Sequence, residues 1–259
     1  MVDFINQVDE EVRAEEMRGL VRKWLPWAIG AAVLAIVVTG GVFAYDAWRD
    51  SEVAKASLAF DRGMKAASAP QPDRIAADRA FTEAAKASAP AYKSLALMER
   101  AGLAVQENRI DDAVKLFDEA AKAAPDPIIE DAALLKAAYL LMETAPYAQV
   151  EARLKPLAEE GRPYRPLARE AMAMAKLGEG RIREARTELT ALSLALDAPE
   201  GMQQRAKAAI QMIDSGAAAR LPAIARAARS QAASPTPAAP SPFAPQAGAP
   251  APQAGAAPQ

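Results

Sequence analysis

The chain has 259 residues, 51% of them hydrophobic but only 5% aromatic, with a net charge of −2 and neither Cys nor His. That composition suits close-packed helices, and it leaves out the nucleophilic thiol, the disulfide, the usual zinc ligands and the commonest general base near neutral pH. Residues 1–45 hold 4 basic and 6 acidic groups, leaving 27 of each for the body (31 less 4 and 33 less 6). With charge so balanced, the chain is not expected to bind nucleic acid.

The first 23 residues are acidic (Asp3, Asp9, Glu10, Glu11, Glu15, Glu16) and end on Arg18, Arg22 and Lys23. They can form a weakly amphipathic helix with Phe4, Val8, Val12 and Glu15 on one side, either for a membrane partner or as an extension of the helix that follows. Trp24 to Tyr45 is an uncharged run of 22 residues. At about 1.5 Å per residue it spans roughly 33 Å, enough for a hydrocarbon core of about 30 Å. Trp24 and Trp27 at one end, and Tyr45 and Trp48 at the other, stand where amphipathic rings favour the headgroup level, and Pro26 is placed in the first turn.

Two other readings of this run compete with a membrane span. A buried core helix is usually shorter and has no need of aromatic girdles at both ends. A cleavable export signal would use Val42-Phe43-Ala44, whose small residues fit a cut before Tyr45, but the long acidic leader differs from the short basic start of such signals. Three basic residues lie within six positions before the span and only Arg49 within six after it. This bias keeps the N-terminus in the cytoplasm and puts everything after residue 46 across the membrane.

The body repeats itself. FTEAAKASAP (Phe81 to Pro90) matches FDEAAKAAP (Phe117 to Pro125) at a shift of 36, and ENRIDDA (Glu107 to Ala113) matches EGRIREA (Glu179 to Ala185) at twice that shift. A unit of about 36 residues with helical periodicity predicts stacked antiparallel helix pairs, a solenoid. Ala113, Phe117 and Ala120 share one helix face, and Ala185, Leu189 and Leu192 repeat the spacing. The middle unit, around Val150, Leu154 and Leu157, keeps only apolar character. Helices are predicted at 47–66, 72–88, 91–106, 110–124, 127–143, 147–160, 164–177, 181–195 and 198–214. Pro70, Pro72, Pro90, Pro146 and Pro163 punctuate them, Asp126-Pro127 and Asp197 to Glu200 supply helix starts, and the Gly178–Gly180 pair supplies a turn.

From about residue 230, AASPTPAAPSPFAPQAGAPAPQAGAAPQ carries no charge and little apolar bulk, so it is expected to be a solvated, disordered tail. No phosphate loop, dinucleotide fingerprint or nucleophile elbow occurs, and neighbouring acids such as Asp111 with Asp112 point about 100° apart on a helix. Neither an enzymatic activity, a cofactor, a metal nor a small-molecule substrate is expected.

Ala113, Phe117, Ala120 and Pro125 fit the second-helix series of the tetratricopeptide repeat family, which the body therefore resembles. The first-helix signature is degenerate, with Ala101 at its small position but Leu97 and Ala104 in place of Trp and Tyr. This resemblance implies a peptide-binding groove lined by first helices, here Leu95, Met98, Val105, Met174 and Leu177. The stretch VDEEVRAEEMRGLVRKWLPW and the order of elements resemble the bacterial family of YfgM-type ancillary subunits of the Sec translocon, over roughly residues 5–214.

That second resemblance implies a non-catalytic protein of the inner membrane, single-pass with its C-terminal domain in the periplasm. Its partners would be translocon subunits, periplasmic chaperones or exported clients. A soluble or released envelope-assembly or cell-division coordinator of the repeat type is the alternative. The expected organisation is all-α: a cytoplasmic segment 1–23, a transmembrane helix 24–45, a tetratricopeptide-like repeat domain 46–216, and a linker with a Pro/Ala/Gln-rich tail 217–259.

Overall fold

The computed structural model describes residues 2–232, and the expected tail beyond them lies outside the described residues. Its first element, α1, is one uninterrupted helix from Val2 to Ser68. The acidic leader, the apolar run and the first helix of the body are therefore a single rod. Pro26 is an interior residue of this rod, not a first-turn one. There it costs the rod one ladder hydrogen bond, the one its missing N–H would have given.

The chain divides into two compact units, one of residues 1–140 and 153–168, the other of 141–152 and 169–259. In the first, α1 turns back through Asp73, whose Oδ1 accepts the Ala76 N–H at 2.9 Å, into α2 (Arg74–Lys86). This cap starts α2 two residues later than the proline spacing predicts. Pro90 opens α3 (Pro90–Gln106), and α4 (Ile110–Ala123) and α5 (Pro127–Thr144) follow. Asp126 caps α5 through the Ile128 and Ile129 N–H groups at 2.8 and 3.0 Å, as the Asp-Pro pair predicts.

α1 and α2 meet through small residues. Ala59, Ala77, Phe81, Ala84, Ala96 and Leu103 form one buried cluster, with Phe60 packed on it. Gly63 lets the ring of Phe81 lie directly on the α1 backbone, since a Cβ there would come within 2.5 Å of Phe81 Cε1. Phe60 fills the flank, 5.5 Å from Phe81 and 5.9 Å from Tyr92 between ring centres.

α6 (Tyr147–Leu154) is shorter than the predicted 147–160. Pro156 cannot donate to the helical ladder, and the chain tightens into a 3-10 turn, Pro156–Ala158. The second unit contains most of α7 (Arg165–Gly178), with α8 (Ile182–Ser193) and α9 (Glu200–Asp214). α9 starts at Glu200 with Pro199 at its N-cap and no side-chain cap there, two residues after the predicted cap Asp197. Gln203 instead turns its amide back to the Ala195 and Ala198 carbonyls at 2.9 and 3.1 Å.

Where a linker is predicted from 217, the chain makes a 3-10 turn, Ala217–Arg220, and a further helix, α10 (Leu221–Ala232). Pro222 and Ala225 of α10 lie beside Gly180 and Gly178, where bulkier residues would hold it off. Leu221, Ile224 and Ala225 give α10 a helical apolar face, so this helix was legible in the sequence and was missed beside the Pro-rich tail.

Among the described residues there is no strand, and the fold class is all-α helical hairpins. The 36-residue register is visible in the cores. Ala77, Phe81 and Ala84 of α2, Ala113, Phe117 and Ala120 of α4, Val150, Leu154 and Leu157 about α6, and Ala185, Leu189 and Leu192 of α8 are all 8% exposed or less. The middle unit thus keeps the pattern with Val and Leu in the places of Ala and Phe.

The second repeated string is a turn. Asn108 and Gly180 both adopt left-handed backbone, at φ 57° and 81°. The next residue's N–H then reaches back to close the helix, Arg109 to Ala104 O at 2.8 Å and Arg181 to Lys176 O at 2.9 Å. Each arginine folds onto the acid three residues on, Asp112 at 3.0 Å and Glu184 at 2.8 Å. ENRIDDA and EGRIREA are one structural sentence written twice.

Candidate functional site

The apolar run of α1 has no protein cover. From Ile29 to Phe43 its large side chains are exposed, Ile36 by 72% and Phe43 by 77%. A stretch of this length and apolarity, none of it buried, is not a core helix; it is long and apolar enough to cross a membrane. Of the four predicted interface residues, Trp27, Tyr45 and Trp48 are exposed and Trp24's side chain lies outside the described set. Tyr45 and Trp48 stand together, their ring centres 5.9 Å apart, as one aromatic patch at the end of the run.

The five predicted groove residues separate. Leu95, Met98 and Val105 of α3 belong to the first unit, all half-buried, with Met98 packed on the cluster of Leu97, Ala120, Ala121 and Ala133. Met174 and Leu177 of α7 belong to the second unit. Met174 is 39% exposed, but Leu177 is 1% exposed. Leu177 is a core residue, about 60° round the helix from Met174 and fully covered; Met174 is the side chain that the surface of α7 can offer.

A groove of about 420 Å³ lies elsewhere in the first unit, between the ends of α2 and α4 with α3 as its floor. Lys86, Lys93, Arg100 and Lys122 line it with Glu119, over the apolar surface of Leu97 and Ala85. Arg100 is committed to Asp78 at 2.8 Å. The three lysines have no acidic partner among the described residues. Sequence reasoning did not single them out, yet a signal exists: Lys86 and Lys122 occupy the same place in the two repeated strings.

Successive repeats are also tied by bidentate arginine–carboxylate pairs about one repeat apart. Arg153 holds both oxygens of Asp118 at 2.6 and 2.9 Å, and Arg205 both oxygens of Glu170 at 2.8 Å. Fork-to-fork geometry fixes register as well as distance. In the second unit the Arg181 guanidinium lies 4.9 Å from the Tyr147 ring centre, while the Tyr147 hydroxyl donates to Glu151 at 2.9 Å. Burial first, and then that acceptor, push the Tyr147 hydroxyl up to about 12.

The deepest charge is Asp131 in α5, 0% exposed, which accepts from Arg162 while its second oxygen is buried without a hydrogen-bond partner among the described residues. Burial pushes this carboxyl up, and Arg162 only partly pulls it back. A carboxyl raised in the folded state binds protons that the unfolded chain releases. Its stabilising contribution is therefore present in acid and lost as pH rises through its folded value.

Arg162→Ala strands the carboxylate and is expected to cost about 3 kcal/mol at neutral pH, with partial recovery on acidification. Asp131→Asn should flatten the acid limb, the native chain losing stability relative to the variant as pH rises from about 4. Denaturant midpoints of the detergent-solubilised protein across pH measure both.

Residues 21–216 match the tetratricopeptide repeat-like domain family, and the chain belongs to it. Domains of this kind are generally non-catalytic scaffolds that bind other proteins. Neither the curated proteins nor the solved structures contain a match.

Proposed function

We propose that the protein is a membrane-anchored, non-catalytic interaction scaffold working beside the protein-export channel. In this reading residues 1–23 lie in the cytoplasm, 24–45 span the inner membrane, and the repeat domain from residue 46 stands in the periplasm. There it passes emerging chains to periplasmic chaperones. The single observation that supports this best is the continuity of α1: one helix carries an uncovered apolar run and then, without a break, becomes the first helix of a binding-type repeat. A rigid tether of this kind raises the local concentration of a weak binder at its client, so shallow contacts such as those of Leu95, Met98, Val105 and Met174 suffice.

A photoreactive residue at Met174 or Leu95 in intact membranes should recover an export-channel subunit, an export chaperone or a chain in transit. Recovery of none of these would refute the role in export. Protease added to spheroplasts should digest the repeat domain and leave the N-terminal segment. The released-coordinator alternative predicts a mature chain beginning at Tyr45, and N-terminal sequencing separates the two readings.

A further inference from the structure

The lysine groove lies at one particular end of the first unit. α2 runs back along α1, and the Ser88 N–H, just past the end of α2, donates to Glu52 Oε2 at 3.2 Å. Glu52 is seven residues beyond Tyr45, about 10 Å along the helix. The headgroup layer itself occupies roughly 5–7 Å beyond the hydrocarbon.

α3 starts at Pro90, and α4 returns antiparallel to it, the Ser94 hydroxyl donating to Ala120 O at 2.8 Å. The last turn of α2, the first turn of α3 and the last turn of α4 therefore stand at one level, a few ångströms above where the headgroups of a bilayer around Trp24–Tyr45 would end. Those turns carry Lys86, Lys93 and Lys122, exposed and without acidic partners among the described residues. Of the carboxylates near this level, Glu52 is taken by Lys55 at 2.9 Å and by the Ser88 N–H, Glu83 by Arg62 at 3.0 Å and Asp126 by the Ile128 and Ile129 N–H groups, Glu119 sits in the groove wall, and Asp46 and Asp50 lie on α1 between Tyr45 and Glu52.

We propose that this groove docks the phosphates of anionic phospholipids in the same bilayer that holds α1, so that the repeat domain is seated on the membrane surface. The inference rests on the membrane-spanning reading of α1. An acidic polypeptide is the competing occupant. The lipid is favoured because, with α1 spanning, the lysines stand within a lysine's length of the headgroups, inside the Debye length of about 8 Å over which anionic headgroups attract them.

The native chain has no Cys, so Ser88→Cys provides one label site on the exposed α2–α3 link. The labelled full-length protein, carrying a polarity-sensitive fluorophore, is reconstituted into phosphatidylcholine vesicles with and without phosphatidylglycerol. Quenching by headgroup-proximal brominated lipid should rise with phosphatidylglycerol and survive added inorganic phosphate. Each lysine near an anionic surface contributes about fivefold to docking, so K86Q/K93Q/K122Q should weaken it by about a hundredfold while the far-UV spectrum is unchanged.

Equal quenching in the two lipids, or an unchanged response in the triple variant, overturns the proposal. Displacement by polyglutamate at constant ionic strength also overturns it and assigns the groove to an acidic chain. Failure of the protein to float with either vesicle would sink the anchor and this inference together, whereas flotation with an unresponsive label sinks this inference alone.

Discussion

A chain carrying Ile36→Lys and Val37→Lys together is expected to leave the membrane fraction on alkaline extraction, where the native chain stays. Both positions are in the middle of the apolar run and expose their side chains, by 72% and 65%, so no other part of the protein shields an introduced charge. Each lysine at a helix centre costs about 3 kcal/mol of insertion relative to an aliphatic residue. Two of them cost about 6 kcal/mol, a shift of more than about ten-thousandfold in partition. The repeat helices do not pack on this run, so the far-UV spectrum should retain its helical signal. Persistence of the variant in the extracted pellet would mean that something other than α1 holds the protein to membranes.

Replacement of Phe81 by Ala is expected to lower stability by about 4 kcal/mol, among the largest effects available to a single side chain here. Phe81 is 0% exposed and touches α1 at Gly63 and Phe60, so its removal leaves a cavity at the junction between the rod and the first repeat. Gly63→Ala tests the same contact from the other side. Helix propensity alone favours alanine by about 1 kcal/mol, but its Cβ would lie 2.5 Å from a ring that is packed on all sides, and overpacking of about 1–3 kcal/mol decides the sign. Combining Gly63→Ala with Phe81→Leu should recover part of the loss. Denaturant midpoints of the solubilised protein measure the cycle, and additive losses would show that the two residues do not meet.

The two repeated strings were legible because each expresses a local requirement. One demands small and large residues at one-turn intervals where helices touch, the other a residue that accepts left-handed backbone and an arginine to fold after it. Such requirements leave a mark in the residues themselves, and the Asp126 cap did so too. Asp197 looked equally good as a cap in sequence, but the helix boundary falls at Pro199, whose fixed φ and missing N–H suit it to that place. The groove list mixed exposed and buried positions for a related reason: periodicity finds the stripe of a helix but not whether a neighbour covers it, and Leu177 is covered.

A long apolar run, a helical-hairpin body of about 36 residues per unit, and the absence of thiol and imidazole chemistry follow from the order of residues alone. They depend on composition and on spacing along one helix. That Lys86, Lys93 and Lys122 converge on one groove, that Asp131 is sealed against Arg162 and that α10 docks on the Gly178–Gly180 turn were settled only by packing. Each of these joins residues between about 30 and 50 positions apart, and no local periodicity carries that information.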